Sequence, residues 1–298
     1  DNVRQISPYK VTSINLLNPC AITTPAILLA AEYEIPVLIY DQSARVQAWC
    51  WSHQYGSIAD IRVRQAFYSQ SAEKLEWIKF LLSKKMEGQI QNLSWIKNRV
   101  PRLKVQITDT IDDIQNQILI LAQKIQLNSI RSTEAISAKK YWDIVFQAFA
   151  GHIDAQKRSK YGAQDTMNMS LNYCYGIMYG IIEASLLMKG IDPFIGLLHI
   201  NRHDKAVLTF DHIEPFRPWV DKMVIELFIQ KFDNDIHFEE DETGQIKIST
   251  EGRKALITTF FDMMEQRSYL NGLRIKKKDH IHHLSAMLVD KLKKYKIP

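Results

Sequence analysis

A chain of 298 residues with 46% apolar and 24% charged residues can bury a large core in one or two domains, which excludes a disordered or low-complexity polypeptide. No apolar run is long enough to span a bilayer, because Glu183 interrupts the run 181–188, so no membrane association is expected. The net charge of +5 is a mild basic bias that does not by itself signal a nucleic-acid binder.

Cys20, Cys50 and Cys174 are scattered and show no C-x-x-C spacing. They read as buried thiols in a reducing cytoplasm, and no secretory signal pattern is visible. The basic charge gathers in 267–296, with Arg274, Lys276, Lys277, Lys278, Lys291, Lys293, Lys294 and Lys296, while 233–242 is acidic. A run of this kind is commonly a solvated helix face, and contact with a polyanion is the competing reading.

In chain order, 11–17 reads as a strand, and Thr24 followed by Pro25 starts a short helix through Tyr33. Residues 36–40 form a buried strand run and 45–51 alternate as another strand. From Ala59 the period becomes helical: Phe67, Leu75, Ile78 and Leu82 recur at helix spacing, and 90–100 is amphipathic up to Pro101. Residues 110–127 place Ile111, Ile114, Ile118, Leu121 and Ile125 on one face, with Asp112 and Asp113 near the expected N-terminus.

A further helix is expected to start at Ser132-Thr133-Glu134, which makes Glu134 a first-turn acid. The segment 151–165 is a polar loop; 166–189 is apolar nearly all round and reads as a buried central helix ended by Gly190. Within it Glu183 needs a partner or a wet face. Residues 219–232 are an amphipathic helix, 236–238 and 245–248 a small hairpin, 250–270 a helix and 279–295 a basic last helix.

The stretch 190–221 holds the most chemistry. His199 follows the apolar residues Phe194, Ile195, Leu197 and Leu198, and the run 208–210 delivers Asp211 and Glu214 three residues apart. An imidazole with nearby carboxylates offers nitrogen and oxygen donors to a divalent cation, and acids at that spacing share a helical face. D-x-x-E also fits a helix-capping pattern, and a single histidine is commonly packed or at the surface.

Three blocks in register carry a resemblance. They are Thr133-Glu134-Ala135 with Ala138 and Tyr141-Trp142; Asn168 to Tyr173 followed by Tyr175-Gly176; and Gly196-Leu197-Leu198-His199 followed by 208–221, L-T-F-D-H-I-E-P-F-R-P-W-V-D. The chain thereby resembles the CRISPR-associated integrase family of spacer adaptation, the "Cas-one" endonucleases. Residues 24–40 are similar to that family's N-terminal helix and strand, and Arg62-x-x-Gln65 is similar to the start of its linker helix. Ala135 departs from the glycine common there.

The resemblance implies an α+β fold: a small N-terminal β-domain over 1–60, whose first strands are either missing or lie upstream of Asp1, followed by a larger all-α catalytic domain over 61–298. It implies that Glu134, His199 and Glu214 are catalytic ligands of Mg²⁺ or Mn²⁺, the last ligand being Asp or Glu in different branches. Asp211, Asn168, Tyr173 and Arg217 are expected to support them, although Tyr173, with Tyr175 and Tyr179, reads from the residues alone as a core aromatic; His203 and His212 are expected to be loop or surface residues. The implied reaction is attack of a DNA 3′-hydroxyl on a phosphodiester at the CRISPR repeat, inserting a short spacer. Implied partners are double-stranded DNA, a second copy of the chain in a homodimer, and the small ferredoxin-like "Cas-two" protein. An upstream fused domain such as a reverse transcriptase is also compatible with the family. Arg62, Arg64, Arg202, Arg274, Lys276, Lys277 and Lys278 are the candidates for DNA contact. The competing expectation is a catalytically idle DNA-binding scaffold of the same fold.

Overall fold

The computed structural model describes residues 4–17, 20–41, 46–50, 52, 58–160, 162–199, 205–230, 234–242 and 244–298. In order these form β1 (Ile14–Leu16), α1 (Thr24–Glu32), β2 (Val37–Tyr40), β3 (Val46–Cys50), α2 (Ile58–Gln70), α3 (Lys74–Lys97), α4 (Lys104–Ala122) and α5 (Leu127–Phe149). Then come α6 (Thr166–Met188), α7 (Val207–His212), α8 (Arg217–Ile229), α9 (Asn234–His237), β4 (Phe238–Glu240), β5 (Ile246–Ile248), α10 (Thr250–Glu265), β6 (Arg267–Leu270), β7 (Leu273–Lys276) and α11 (Lys277–Lys294). The fold is α+β, a small strand-bearing N-terminal region leading into a mainly helical remainder. No helix among the described residues is long and apolar enough to cross a membrane.

Two compact units emerge, and both are assembled from separated segments: residues 1–71, 176–210 and 279–298 in one, 72–175 and 211–278 in the other. In the first, β1 pairs parallel to β2 and β2 pairs antiparallel to β3, with an irregularity between Ile39 and Tyr40. Successive side chains of a strand face opposite ways. Val37 therefore packs with Ala30 and Ile35 near α1, while Leu38 and Tyr40 turn towards Ala184 of α6. Gly180 permits that approach, since a Cβ there would overlap the Tyr40 ring.

In the second unit α3, α4 and α5 pack together, and α3 also receives a 3-10 turn (Glu214–Phe216) and α8. Ile78, Leu82, Met86, Leu93 and Ile96 of α3, Ile107 and Ile114 of α4, and Val145 of α5 are fully buried. Each such aliphatic side chain stabilises the fold by roughly 1.5–3 kcal/mol over leaving it in water. β4–β5 and β6–β7 are antiparallel pairs, and Ser249 caps α10 by accepting from the Gly252 amide at 2.9 Å.

Several local expectations change. The cap position before α1 is Thr23, without a side-chain bond, rather than Thr24. Helix α4 begins at Lys104, so Asp112 and Asp113 sit mid-helix, where Asp113 pairs with Lys140 instead of facing a helix end. Helix α5 begins at Leu127, so Glu134 stands well inside it and is not a first-turn acid. The helix 250–270 stops at Glu265, because 267–270 pairs with 273–276 around Asn271-Gly272. His212 is fully buried rather than at the surface, its ring 6.0 Å from that of Trp77.

Candidate metal centre

The second unit brings two of the three expected ligands to one point. Helix α5 supplies Glu134, and the 3-10 turn before α8 supplies Glu214. The turn forms because Pro215 favours helical φ near a helix start, and the Ile213 carbonyl accepts from the amides of Phe216 and Arg217 at 2.8 and 3.1 Å. The Lys85 ammonium of α3 lies between the two acids, bonded to Glu134 Oε1 and 2.7 Å from Glu214 Oε2. Arg217 Nε donates to Glu214 Oε1 at 2.8 Å. The ammonium meets Glu214 on Oε2, the oxygen that Arg217 does not hold.

These charges are held in a dry place: Glu214 is 6% exposed and Lys85 8%. Burial raises the Glu214 carboxyl, but the Arg217 guanidinium and the Lys85 ammonium outweigh it and hold the group at about 2. Burial likewise lowers Lys85, and the charges of Glu214 and Glu134 overcome this, so the ammonium stays protonated. Two acids from distant parts of the chain thus share one buried cation.

Behind them lies a buried polar network. Tyr175 donates to Asp221, Arg217 lies 4.8 Å from the centre of the Tyr175 ring, and Asn92 donates to the Tyr141 hydroxyl at 3.0 Å and the Pro218 carbonyl at 2.7 Å. Burial pushes the Asp221 carboxyl up to about 6 despite the Tyr175 bond and the nearby Arg158, Arg217 and Lys85. Sequence reasoning missed Lys85, Asn92 and Asp221. Asp221 closes the third motif block, so that signal was present; Lys85 and Asn92 lie outside the blocks.

Of the supporting residues, Arg217 binds Glu214 directly. Asp211 is fully buried and acts electrostatically on Lys74. Asn168 is an organiser of the preceding loop: its Oδ1 accepts from Arg158 at 2.7 Å and from the Ser159 amide at 2.9 Å, and its Nδ2 donates to the Lys157 carbonyl and to Asp165. Tyr173 is buried, and burial raises its hydroxyl to about 12.

His199 belongs to the first unit, where it is exposed with its ring edge-on to Phe210 at 6.2 Å. The chain leading to it is fixed by Gln65, which donates to the carbonyls of Asp192 and Ile195 at 2.7 and 3.1 Å and accepts from the Asp192 amide at 2.9 Å. The Leu208 amide donates to the Pro193 carbonyl at 2.9 Å. Among the described residues no group of three or more His, Cys, Asp or Glu gathers in a metal-holding arrangement. The donors do fit Mg²⁺ or Mn²⁺ in kind: Glu134 and Glu214 present hard carboxylate oxygens to one cation position.

Of the candidates for DNA contact, Arg62 and Arg274 are exposed. Arg64 is tied to Asp60 and to the Tyr295 carbonyl, both at 2.8 Å, and Lys276 and Lys278 both pair with Glu265. Lys277 lies over the Trp219 ring, and burial and Lys222 lower its amine to about 8. Arg202 and His203 fall outside the described residues.

Known proteins share both sequence and fold with this chain. A family model described as CRISPR associated protein Cas1 matches residues 1–262. The chain is 27% identical over 209 residues to a "CRISPR-associated endonuclease Cas1 1" of Thermodesulfovibrio yellowstonii, an alignment that covers 70% of this chain and 66% of the relative. Two solved structures share its fold. One, titled "Cas6-RT-Cas1--Cas2 complex", gives a TM-score of 0.77 at 18% identity and covers 98% of this chain and 32% of that one. The other, titled "Casposase bound to integration product", gives 0.71 at 21% identity, with 98% and 87% covered.

Proposed function

The chain belongs to the CRISPR-associated Cas1 family, and from that premise we propose that it is a divalent-metal-dependent DNA endonuclease and integrase that inserts short DNA fragments at a CRISPR repeat. The observation that carries the proposal is the meeting of Glu134 and Glu214 at one buried cation position. Each lies in a different motif block, and the buried Glu214 and the half-buried Glu134 converge on one ammonium. A buried ion pair is often no more stabilising than apolar packing of the same volume, so its presence here favours a role beyond stability. The motif assigns His199 as the third ligand.

A bound Mg²⁺ or Mn²⁺ there supplies electrostatic stabilisation of a phosphodiester as one oxygen attacks and another leaves. The chain's own residues prepare for this. Arg217 holds one oxygen of Glu214, so the other is directed at the shared position. Tyr175 and Asp221 set the surroundings in which the Arg217 guanidinium rests. Arg62, Arg274 and the basic C-terminal helix offer positive charge to DNA phosphates, giving binding that weakens with salt and does not depend on sequence. The titles of the structural neighbours name an integration product and a Cas1–Cas2 complex. Duplex DNA and a small Cas2-like protein are accordingly its proposed partners, and a second copy of the chain is proposed from the family resemblance alone.

The test is strand transfer of a short duplex into a repeat-bearing plasmid with Mn²⁺, run with and without a Cas2 partner. Joined product from the unmodified chain, lost in Glu134→Gln and in His199→Ala, is the expected result. Salt-sensitive DNA binding without joined product would instead assign the chain to an idle scaffold.

A further inference from the structure

Lys85 is nearly buried, belongs to none of the motif blocks, and puts its ammonium against both acids of the proposed metal centre. We propose that Lys85 is the built-in counter-cation of the Glu134–Glu214 pair, holding the acids ready and setting how tightly they take a divalent ion. This rests on the metal-centre reading above.

Three observations converge on it. The first is charge: Glu134 and Glu214 contribute two negative charges, and Lys85 and Arg217 two positive ones, so the cluster is neutral as it stands. Like-charged acids drawn to one point, one buried and the other half-buried, need a cation, and the ammonium supplies it. The second is the contrast between the two cations. Arg217 is bonded to Glu214 Oε1 from three residues along the same stretch of chain, whereas Lys85 reaches Oε2 from another helix and divides its ammonium between Glu214 and Glu134. Of the pair, Lys85 is the exchangeable partner and Arg217 the fixed one. The third is reach: a lysine is a compact charge on a flexible four-carbon stem, able to leave a carboxylate without moving the backbone.

A divalent ion that takes these carboxylate oxygens has to displace the ammonium from at least one of them. With the ion bound the cluster carries two net positive charges, which suits a phosphodiester anion and gives the released ammonium a new partner. Lys85 is thus a positioning residue. It keeps the acids together before the ion arrives and weakens the ion's hold by competing with it.

The test is a Mn²⁺ titration of the full chain, followed by the paramagnetic signal of free Mn²⁺, with thermal melts at each metal concentration. Glu214→Gln defines the signal that belongs to this site. Lys85→Met keeps the apolar stem and removes the charge; it is expected to bind Mn²⁺ at least about tenfold more tightly, because a unit charge in contact with both acids is gone. Its melting temperature should rise more on adding Mn²⁺ than that of the unmodified chain. Lys85→Arg, which keeps the charge, should bind no more tightly than the unmodified chain. If Lys85→Met does not fold without metal, Lys85→Gln carries the same expectation, since its amide can still bond the acids.

Equal or weaker Mn²⁺ binding by the neutral variants, with the Glu214-dependent site present, overturns the role of Lys85 and leaves the metal centre standing. Absence of Glu214-dependent Mn²⁺ binding from the unmodified chain and the neutral variants alike overturns both. Binding that appears only when the charge is removed supports the proposal in its strongest form.

Discussion

Gly88 of α3 faces Pro218 of α8 so closely that a Cβ on the glycine would lie 2.8 Å from the proline Cγ. Gly88 follows Lys85 by one helical turn, so both lie on the side of α3 that receives the 3-10 turn and α8. The missing side chain lets α8 seat there, and that seating brings Glu214 and Arg217 beside the ammonium.

Substituting Gly88 by alanine sets two effects against each other. Helix propensity alone favours alanine by about 1 kcal/mol. Forcing a methyl into a filled contact with a rigid ring costs about 1–3 kcal/mol. The second should win, and urea denaturation of Gly88→Ala is expected to show a net loss of about 1–2 kcal/mol. A net gain would mean that α8 can shift away freely, and that Gly88 does not position Glu214.

Gln65 gives the second expectation. Its amide satisfies one backbone N–H and two carbonyls of the segment that leads to His199. Gln65→Leu is close in size but leaves all three without that partner, at a cost of about 1–3 kcal/mol for an unsatisfied buried group. Strand transfer should fall about 10–100-fold, as for outer residues that orient a ligand, while Mn²⁺-free DNA binding stays as it was. Joining at the unmodified level would detach Gln65 from the site's geometry.

Much of the scaffold was legible because local chemistry and tertiary packing agree there. Helix α6 is apolar nearly all round and is followed two residues on by Gly190, whose φ of +74° is one that glycine adopts without strain. The break between α4 and α5 was placed too late because 123–126, Gln-Lys-Ile-Gln, contains neither glycine nor proline. Lys85 was illegible for a deeper reason. A lysine on an amphipathic helix reads as solvated, and it turns inward here only because acids from α5 and the Glu214 turn meet it. Nothing in the linear spacing of 85, 134 and 214 announces that meeting.

The hairpin at β6–β7 was missed although its signal was present. Asn271 and Gly272 have φ of +51° and +80°, the left-handed pair that a two-residue hairpin turn requires, and Asn-Gly is its strongest sequence mark. The apolar spacing of α10 masked it. Gly272→Val puts a β-branched residue at positive φ and should cost about 1–3 kcal/mol. Amide exchange should quicken in 267–276 first; protection left unchanged there would show that the turn tolerates the strain.

Glu183 yields an expectation in pH. It lies on the central helix at 8% exposure, no ion-pair partner for it occurs among the described residues, and burial raises its carboxyl to about 7. Its charge in turn helps to push the Tyr40 hydroxyl up, after burial itself. Because the folded pKa is raised above the unfolded value near 4.5, the folded chain keeps a proton that the unfolded chain releases. There is no penalty below about pH 4.5; the penalty grows as pH rises towards 7 and is constant above it, at about 3 kcal/mol. Glu183→Gln has nearly the same shape and no charge to desolvate. It should melt at the same temperature as the unmodified chain at pH 4.5 and several degrees higher at pH 8. Equal melting temperatures at both pH values would mean that the carboxylate finds a cation or water in solution, and that its burial costs the fold nothing.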